Sequence, residues 1–351
     1  MRLKHLLFAA GFGLITATRA DRWLRSFARG RGVTLMFHHV RPWRPRRFAP
    51  NRLLEITPEY LEVVLTELRR ERFDLIPLDV VPERLRADSC RHPFAVLTFD
   101  DGYRDNVEHA WPVLKRYSAP WTLFVTTDFA DARGRLWWLE LEEAIARLDR
   151  VCLNCDGDML DLPSRTAREK QSAFEAVYWR LRAGPEGQLR ATIAGLAGQA
   201  GIAASGLNAE LCLGWDEIQQ LAREPDITIG AHTVSHPILA KHDAAVASRE
   251  IAGSKALLEQ RLGQPVRHLA YPIGDATSAG AREFSIAQRA GFVTAVTSRP
   301  GHIFADHAAH LHALPRVSIN GLFQSEMALR ALLSGVPFLA WNRGHRVSVE
   351  P

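Results

Sequence analysis

Short runs of consecutive apolar residues alternate along this chain with segments whose apolar positions recur every three or four residues. Residues 33–37, 94–99, 121–126, 267–271 and 292–297, and a run starting at Ile227, are short and rich in β-branched or aromatic side chains, so they read as buried strands. Helical patterns lie between them at 58–70, 103–117, 216–223, 244–262 and 281–290. In the first, Leu61, Val64, Leu65 and Leu68 share a face, Thr57 is placed to cap, and Pro58 occupies the first turn, where a missing N–H is no loss. Pro112 interrupts the helix expected over 103–117. This alternation predicts a parallel sheet covered by helices. Residues 131–211 break the pattern. They read mainly as helix (138–148, 165–181 and 187–197) and form an insertion. The expected organisation is an N-terminal helix or signal-like segment over 1–30, two halves of an α/β unit over 31–130 and 212–325, the insertion between them, and a C-terminal helix and tail over 326–351.

The length of 351 residues admits one large α/β domain or two small ones, and apolar and charged fractions of 47% and 24% are those of an ordinary globular chain. A formal charge of +5 is modest, and the cluster Arg41, Arg44, Arg46 and Arg47 reads as a solvated loop, so no nucleic-acid partner is expected. Cys90, Cys152, Cys155 and Cys212 are too few for a disulfide framework, and Cys152 and Cys155 lack the second pair or nearby histidine of a zinc site. They read as incidental thiols, with a disulfide left open for an exported protein. Arg2 and Lys4 precede an apolar stretch over 6–17, with Ala20 after it, as in a signal peptide. Arg19 in the would-be cleavage site and two glycines in the stretch argue otherwise, and Trp23, Leu24 and Phe27 continue at helical spacing. A retained amphipathic helix, packed on the barrel or lying on a membrane surface, explains the segment as well. It is too short to span a bilayer. We expect retention and a cytoplasmic location, with export or membrane association as the alternative.

The chemistry concentrates in two places. Leu97-Thr98-Phe99-Asp100-Asp101-Gly102 puts two adjacent carboxylates at the end of a strand. Burying both is costly unless one is neutralised, and a cation on one would leave the other free. Asp-Asp-Gly alone is also ordinary turn punctuation. His232-Thr233-Val234-Ser235-His236 follows a second strand, and its spacing would set both imidazoles on one helical face. Together these segments offer three ligands for a divalent ion and a spare carboxylate as base. Chemistry at successive strand ends is what a β/α barrel carries on its carboxyl face.

Both segments, together with Leu269-Ala270-Tyr271-Pro272-Ile273-Gly274, resemble the three motifs of the polysaccharide deacetylase (NodB-homology, carbohydrate esterase 4) family, the third in its Tyr-Pro-x-Gly form. The resemblance covers roughly residues 33–130 and 212–320 and implies a distorted (β/α)7-type barrel. It implies Asp101, His232 and His236 as metal ligands and Asp100 as general base. Pro272 has no N–H, which points to Ile273 as the backbone donor to an oxyanion, with Tyr271 as the alternative. Zinc suits such ligands, and cobalt, nickel or manganese would fit too.

Two departures stand out. The arginine that opens the family's third motif is replaced by Ala270, and Arg316 could reach the same carboxylate from elsewhere or be an ordinary structural arginine. The Leu-x-His that supplies the family's general acid is matched only loosely by His310-Leu311-His312; His38, or less so His39, could serve instead. Trp137, Trp138 and Trp179 could stack on sugars or form the insertion's own core. The expected function is metal-dependent removal of acetyl groups from N-acetylated sugars of an oligo- or polysaccharide. The alternatives are an O-acetyl esterase and a catalytically silent carbohydrate-binding barrel.

Overall fold

The computed structural model describes residues 2–88, 91–155, 158–203 and 206–349. Seven parallel strands close into a barrel: β1 (Gly32–Phe37), β2 (Phe94–Phe99), β3 (Trp121–Val125), β4 (Ile227–Ala231), β5 (His268–Ala270), β6 (Thr294–Pro300) and β7 (Leu314–Ser318). Each pairs with its successor in the chain, and β7 returns to β1. Alternation within the strands sorts their side chains. Val33, Leu35 and Phe37 of β1 and Ala95, Leu97 and Phe99 of β2 join the layer beneath the helices. Phe94, Val96, Phe124, Ala270, Val296 and Leu314 form a separate cluster that fills the barrel. The ring is irregular on one side. β5 has three residues and meets β4 through one register pair, Leu269↔Ala231. β6 bulges against β7, where Val296 faces Leu314 but Pro300 faces Arg316.

Helix α1 (Arg2–Ala17) leads into the barrel and α2 (Pro58–Arg70) lies outside it. Thr57 caps α2, its hydroxyl accepting from the Tyr60 N–H at 3.1 Å. Residues 103–117 are not a helix broken at Pro112. A π-helical turn spans Asn106–Ala110, and a regular helix starts at Trp111, so Pro112 falls in a first turn where its ring is tolerated. The insertion contributes α3 (Trp137–Arg147), α4 (Ala167–Ala183) and α5 (Glu186–Gln199) around a core of its own. It is not all helix: Arg150–Cys155 and Asp158–Pro163 pair as an antiparallel hairpin. Cys152 is exposed and Cys212 buried, both as free thiols. Cys90 and the Cys155 side chain lie outside the described residues. The outer ring includes α6 (Ala244–Leu262) and α7 (Ala281–Arg289), and α8 (Glu326–Ser334) follows β7.

Helix α1 packs on α8. Phe12 is buried against Ala328 and Ala331, with Phe8 and Ile15 beside it. Among the described residues, no helix is long and apolar enough to cross a membrane.

Leu61 of α2 is fully buried in the main core cluster, and it does not line the cavity described below. Leu61→Ala should destabilise the protein by about 2–5 kcal/mol in chemical denaturation, through lost transfer energy and the cavity left behind.

Candidate active site

The carboxyl ends of the strands surround a cavity of about 290 Å³. Asp100 extends β2, its N–H donating to the Phe37 carbonyl at 3.0 Å. The chain then turns sharply, with Asp101 at φ 71° and Gly102 at φ 67°. Aspartate tolerates this left-handed conformation better than most residues. Both carboxylates line the cavity.

His232 continues β4, its N–H donating to the Val125 carbonyl at 2.8 Å. The expected helical face is absent: His232 to His236 form an irregular loop, with Thr233 at φ 64° and His236 at φ 57°. Two left-handed residues, rather than a helical turn, bring the imidazoles together. Such strain survives only where the surroundings impose it, and here they do. Glu250 of α6 accepts from the Val234 and Ser235 N–H groups and the Ser235 hydroxyl at 2.8–2.9 Å. On the other side the insertion grips the loop. Arg190 donates to the Ser235 and His236 carbonyls at 3.1 and 2.8 Å, and Glu186 accepts from the Ile238 N–H at 2.7 Å. Neither Glu250 nor the Glu186–Arg190 pair was singled out from the sequence, where nothing distinguishes them from ordinary helix-surface charges.

One oxygen of Asp101 lies 3.4 Å from His232 Nε2 and 3.3 Å from His236 Nε2. Among the described residues, that buried oxygen has no hydrogen-bond partner. A ligand atom from each of the three residues lies within 4.8 Å of the others. The separations match the edge of a tetrahedron with bonds of about 2.0–2.1 Å, so this trio fits a divalent ion. His232 Nδ1 meets the Ala270 carbonyl at 2.7 Å, which leaves Nε2 with its lone pair towards the cavity. The His236 ring lies between Trp138, at 4.9 Å, and Phe129, at 5.8 Å.

Arg316 of β7 is fully buried and forks onto Asp100 with two bonds of 2.7 Å. Its Nε donates to the Thr297 carbonyl at the β6 bulge, 2.8 Å away, and Nη1 also reaches the Thr98 hydroxyl. It thus holds the carboxylate from β7, while Ala270 occupies the place of the third motif's arginine. Burial alone would raise the Asp100 pKa, but Arg316 and then His232 outweigh it and hold the carboxyl below its ordinary range. Asp101 is held further down, burial being overcome by the two imidazoles. Burial likewise opposes protonation of His232, yet Asp101 and Asp100 raise it overall; His236 and His38 are lowered, chiefly by burial.

The remaining expected residues divide. Ile273 lines the cavity at φ 62°, and no protein acceptor takes its N–H among the described residues. Tyr271 is removed as a donor: its N–H bonds the Val296 carbonyl, and its hydroxyl reaches the His312 carbonyl, away from the cavity. His38 lines the cavity, its carbonyl held by Asn106 at 2.6 Å. His39 is bound instead to Asp105 at 2.7 Å and stacks on Tyr103. His310-Leu311-His312 precedes β7 and so lies at the opposite, amino end of the barrel. Trp137 and Trp138 belong to the insertion's core and to the cavity wall at once, whereas Trp179 is exposed outside it.

A parallel barrel with such a constellation on its carboxyl face has the architecture of a barrel hydrolase. The model of the polysaccharide deacetylase family matches residues 88–295, more than half of the chain, and the chain belongs to that family. No curated protein sequence matches it. Among solved structures, it resembles the Streptococcus pyogenes deacetylase PplD in complex with acetate at 19% identity and TM-score 0.57, over 87% of this chain and 97% of that one. IcaB from Ammonifex degensii gives 18% identity and TM-score 0.53, over 87% and 98%. BC0361, a polysaccharide deacetylase from Bacillus cereus, gives 17% and 0.53, over 86% and 68%. At these identities the likeness is one of fold.

Arg316→Met should leave Asp100 buried and unpaired, which lowers stability by about 3–5 kcal/mol. Arg316 favours the ionised form of Asp100, so its contribution is present at neutral pH and lost as pH falls through the depressed native pKa. Urea unfolding at neutral and acidic pH should therefore show the gap between wild type and variant narrowing on acidification.

Proposed function

We propose that this chain is a divalent-metal-dependent hydrolase that releases acetate from N-acetylated sugars of an oligo- or polysaccharide. The observation that carries the reading is the division of labour between two adjacent carboxylates: Asp101 faces two imidazoles, while Asp100 is held apart by Arg316. Asp101, His232 and His236 would hold the ion, with zinc favoured and cobalt, nickel or manganese compatible. Bound there, it would polarise the acetyl carbonyl and lower the pKa of water at the site.

The chain's own residues supply the rest. Asp100, ionised at neutral pH, takes the proton from the attacking water. The Ile273 N–H donates to the oxyanion that forms on the former carbonyl oxygen, and Gly274, at φ 67°, carries the turn that presents it. Apolar walls from Leu54, Trp137 and Trp138 exclude water around the acetyl methyl. His38 faces the same cavity and relays to the departing sugar amine the proton that Asp100 took from the water, so both groups end as they began. Burial keeps His38 neutral in the free site, which favours one second reading: an ester, whose leaving group needs less help. Acetate release from chitooligosaccharides against acetylated xylan separates the two.

A chelator should abolish acetate release, and added zinc or cobalt should restore it. Asp100→Asn should keep the ion, measured by metal analysis, and lose about 100- to 10,000-fold in turnover; normal turnover would remove Asp100 from the role of base. His38→Ala should slow amide hydrolysis far more than hydrolysis of an activated aryl acetate, whose leaving group departs unprotonated. Equal losses on both substrates would deny His38 the role of acid.

A further inference from the structure

Helix α1 is apolar on both faces. Its inner face is accounted for by α8 and Phe323. Its outer face carries Leu6, Leu7 and Leu14, which are 67%, 64% and 65% exposed, with Ala10 and Ala17 also exposed on it. These positions recur at helical spacing as a single stripe, and residues 6–15 include no polar side chain. Trp341, itself exposed, extends the stripe sideways by stacking on Phe8 at 5.3 Å. Exposed Trp23 and Phe27 follow in the chain. An outward stripe of this kind marks a contact surface.

Charge identifies what covers it. Residues 1–31 hold seven Lys and Arg and one Asp, whereas the whole chain sums to only +5. The rest of the molecule therefore sums to about zero, and residues 1–31 carry a basic excess separate from the cluster Arg41, Arg44, Arg46 and Arg47. Arg19 and Arg22 are exposed just beyond α1. A bare apolar stripe beside free cations complements an anionic lipid surface.

We propose that α1 seats the protein on an anionic bilayer, lying in its plane with Leu6, Leu7 and Leu14 at the headgroup–acyl boundary and Arg19 and Arg22 against lipid phosphates. The inner face stays on α8 and Phe323, so binding requires no unfolding. The proposal is independent of the reaction assigned above.

The test is co-sedimentation of the full chain with phosphatidylcholine vesicles and with vesicles that also contain phosphatidylglycerol. The chain should partition about tenfold or more in favour of the anionic vesicles, and the preference should fade as salt is raised. Leu7→Glu/Leu14→Glu, at exposed positions, should keep the wild-type melting temperature and acetate release yet lose about tenfold or more of vesicle binding. Arg19→Glu/Arg22→Glu should abolish the lipid-charge preference. Absence of the full chain from the vesicle pellet, or unchanged binding of both variants, would overturn the proposal. So would a lipid-free dimer in sedimentation velocity that Leu7→Glu/Leu14→Glu dissolves without any vesicle binding, since the stripe would then belong to a second copy. Recovery from cells of a chain cleaved near Ala20 would refute it equally.

Discussion

The buried fork between Arg316 and Asp100 is the constraint on which the site rests. Two neighbouring carboxylates at the end of one strand would repel each other and resist burial. A guanidinium fixed by the Thr297 carbonyl and the Thr98 hydroxyl satisfies one of them from inside the barrel. The second carboxylate is thereby left facing the two imidazoles at close range. Chemically identical side chains acquire different partners because their surroundings differ. The bulge between β6 and β7 belongs to this arrangement, since it is where the Thr297 carbonyl receives the Arg316 Nε.

Around this pair the backbone is held in conformations it would not choose. Asp101, Thr233, His236 and Ile273 all have positive φ, and two of them are β-branched. Each lies where a turn must deliver a group to the cavity: a carboxylate, two imidazoles and a free N–H. The regular ladder supplies the counterweight, for the Asp100 and His232 N–H groups are still paired to neighbouring strands. The strain therefore begins only beyond the last ladder bond, which keeps the irregular loops short and anchored.

Much of this was legible in the chain. The strands ending at Phe99 and Ala231 and the helices 58–70 and 244–262 follow from apolar runs, spacing and a capping threonine. The grouping of Asp101, His232 and His236 was legible because these residues follow strand ends. The conformation of the histidine loop was not: spacing of four suits a helix equally well, and only tertiary partners such as Glu250 decide against it. The hairpin at 150–163 was missed although Asp156-Gly157, a strong two-residue hairpin signal, lies between its strands. The apolar residues flanking it were read with the helical composition around them. Tyr271 looked like a site residue because it opens a motif, yet its backbone is spent on the ladder. Arg316 could be named from the sequence but not placed, since its reach depends on barrel closure between residues 216 positions apart.

The insertion's hold on the histidine loop has a consequence for how this region can vary. The hydrogen bonds that Arg190 and Glu186 make to residues 235–238 go to two main-chain carbonyls and an amide. They read the path of the backbone and are indifferent to its lettering. Changes at Pro237 and Ile238 are therefore compatible with these bonds as long as the trajectory is kept, whereas the Ser235 hydroxyl is bonded to Glu250 and the His236 ring faces Asp101. An exchanged insertion from a relative would shift the imidazoles even with Asp101, His232 and His236 intact, so the two segments can diverge in sequence only while evolving together in shape.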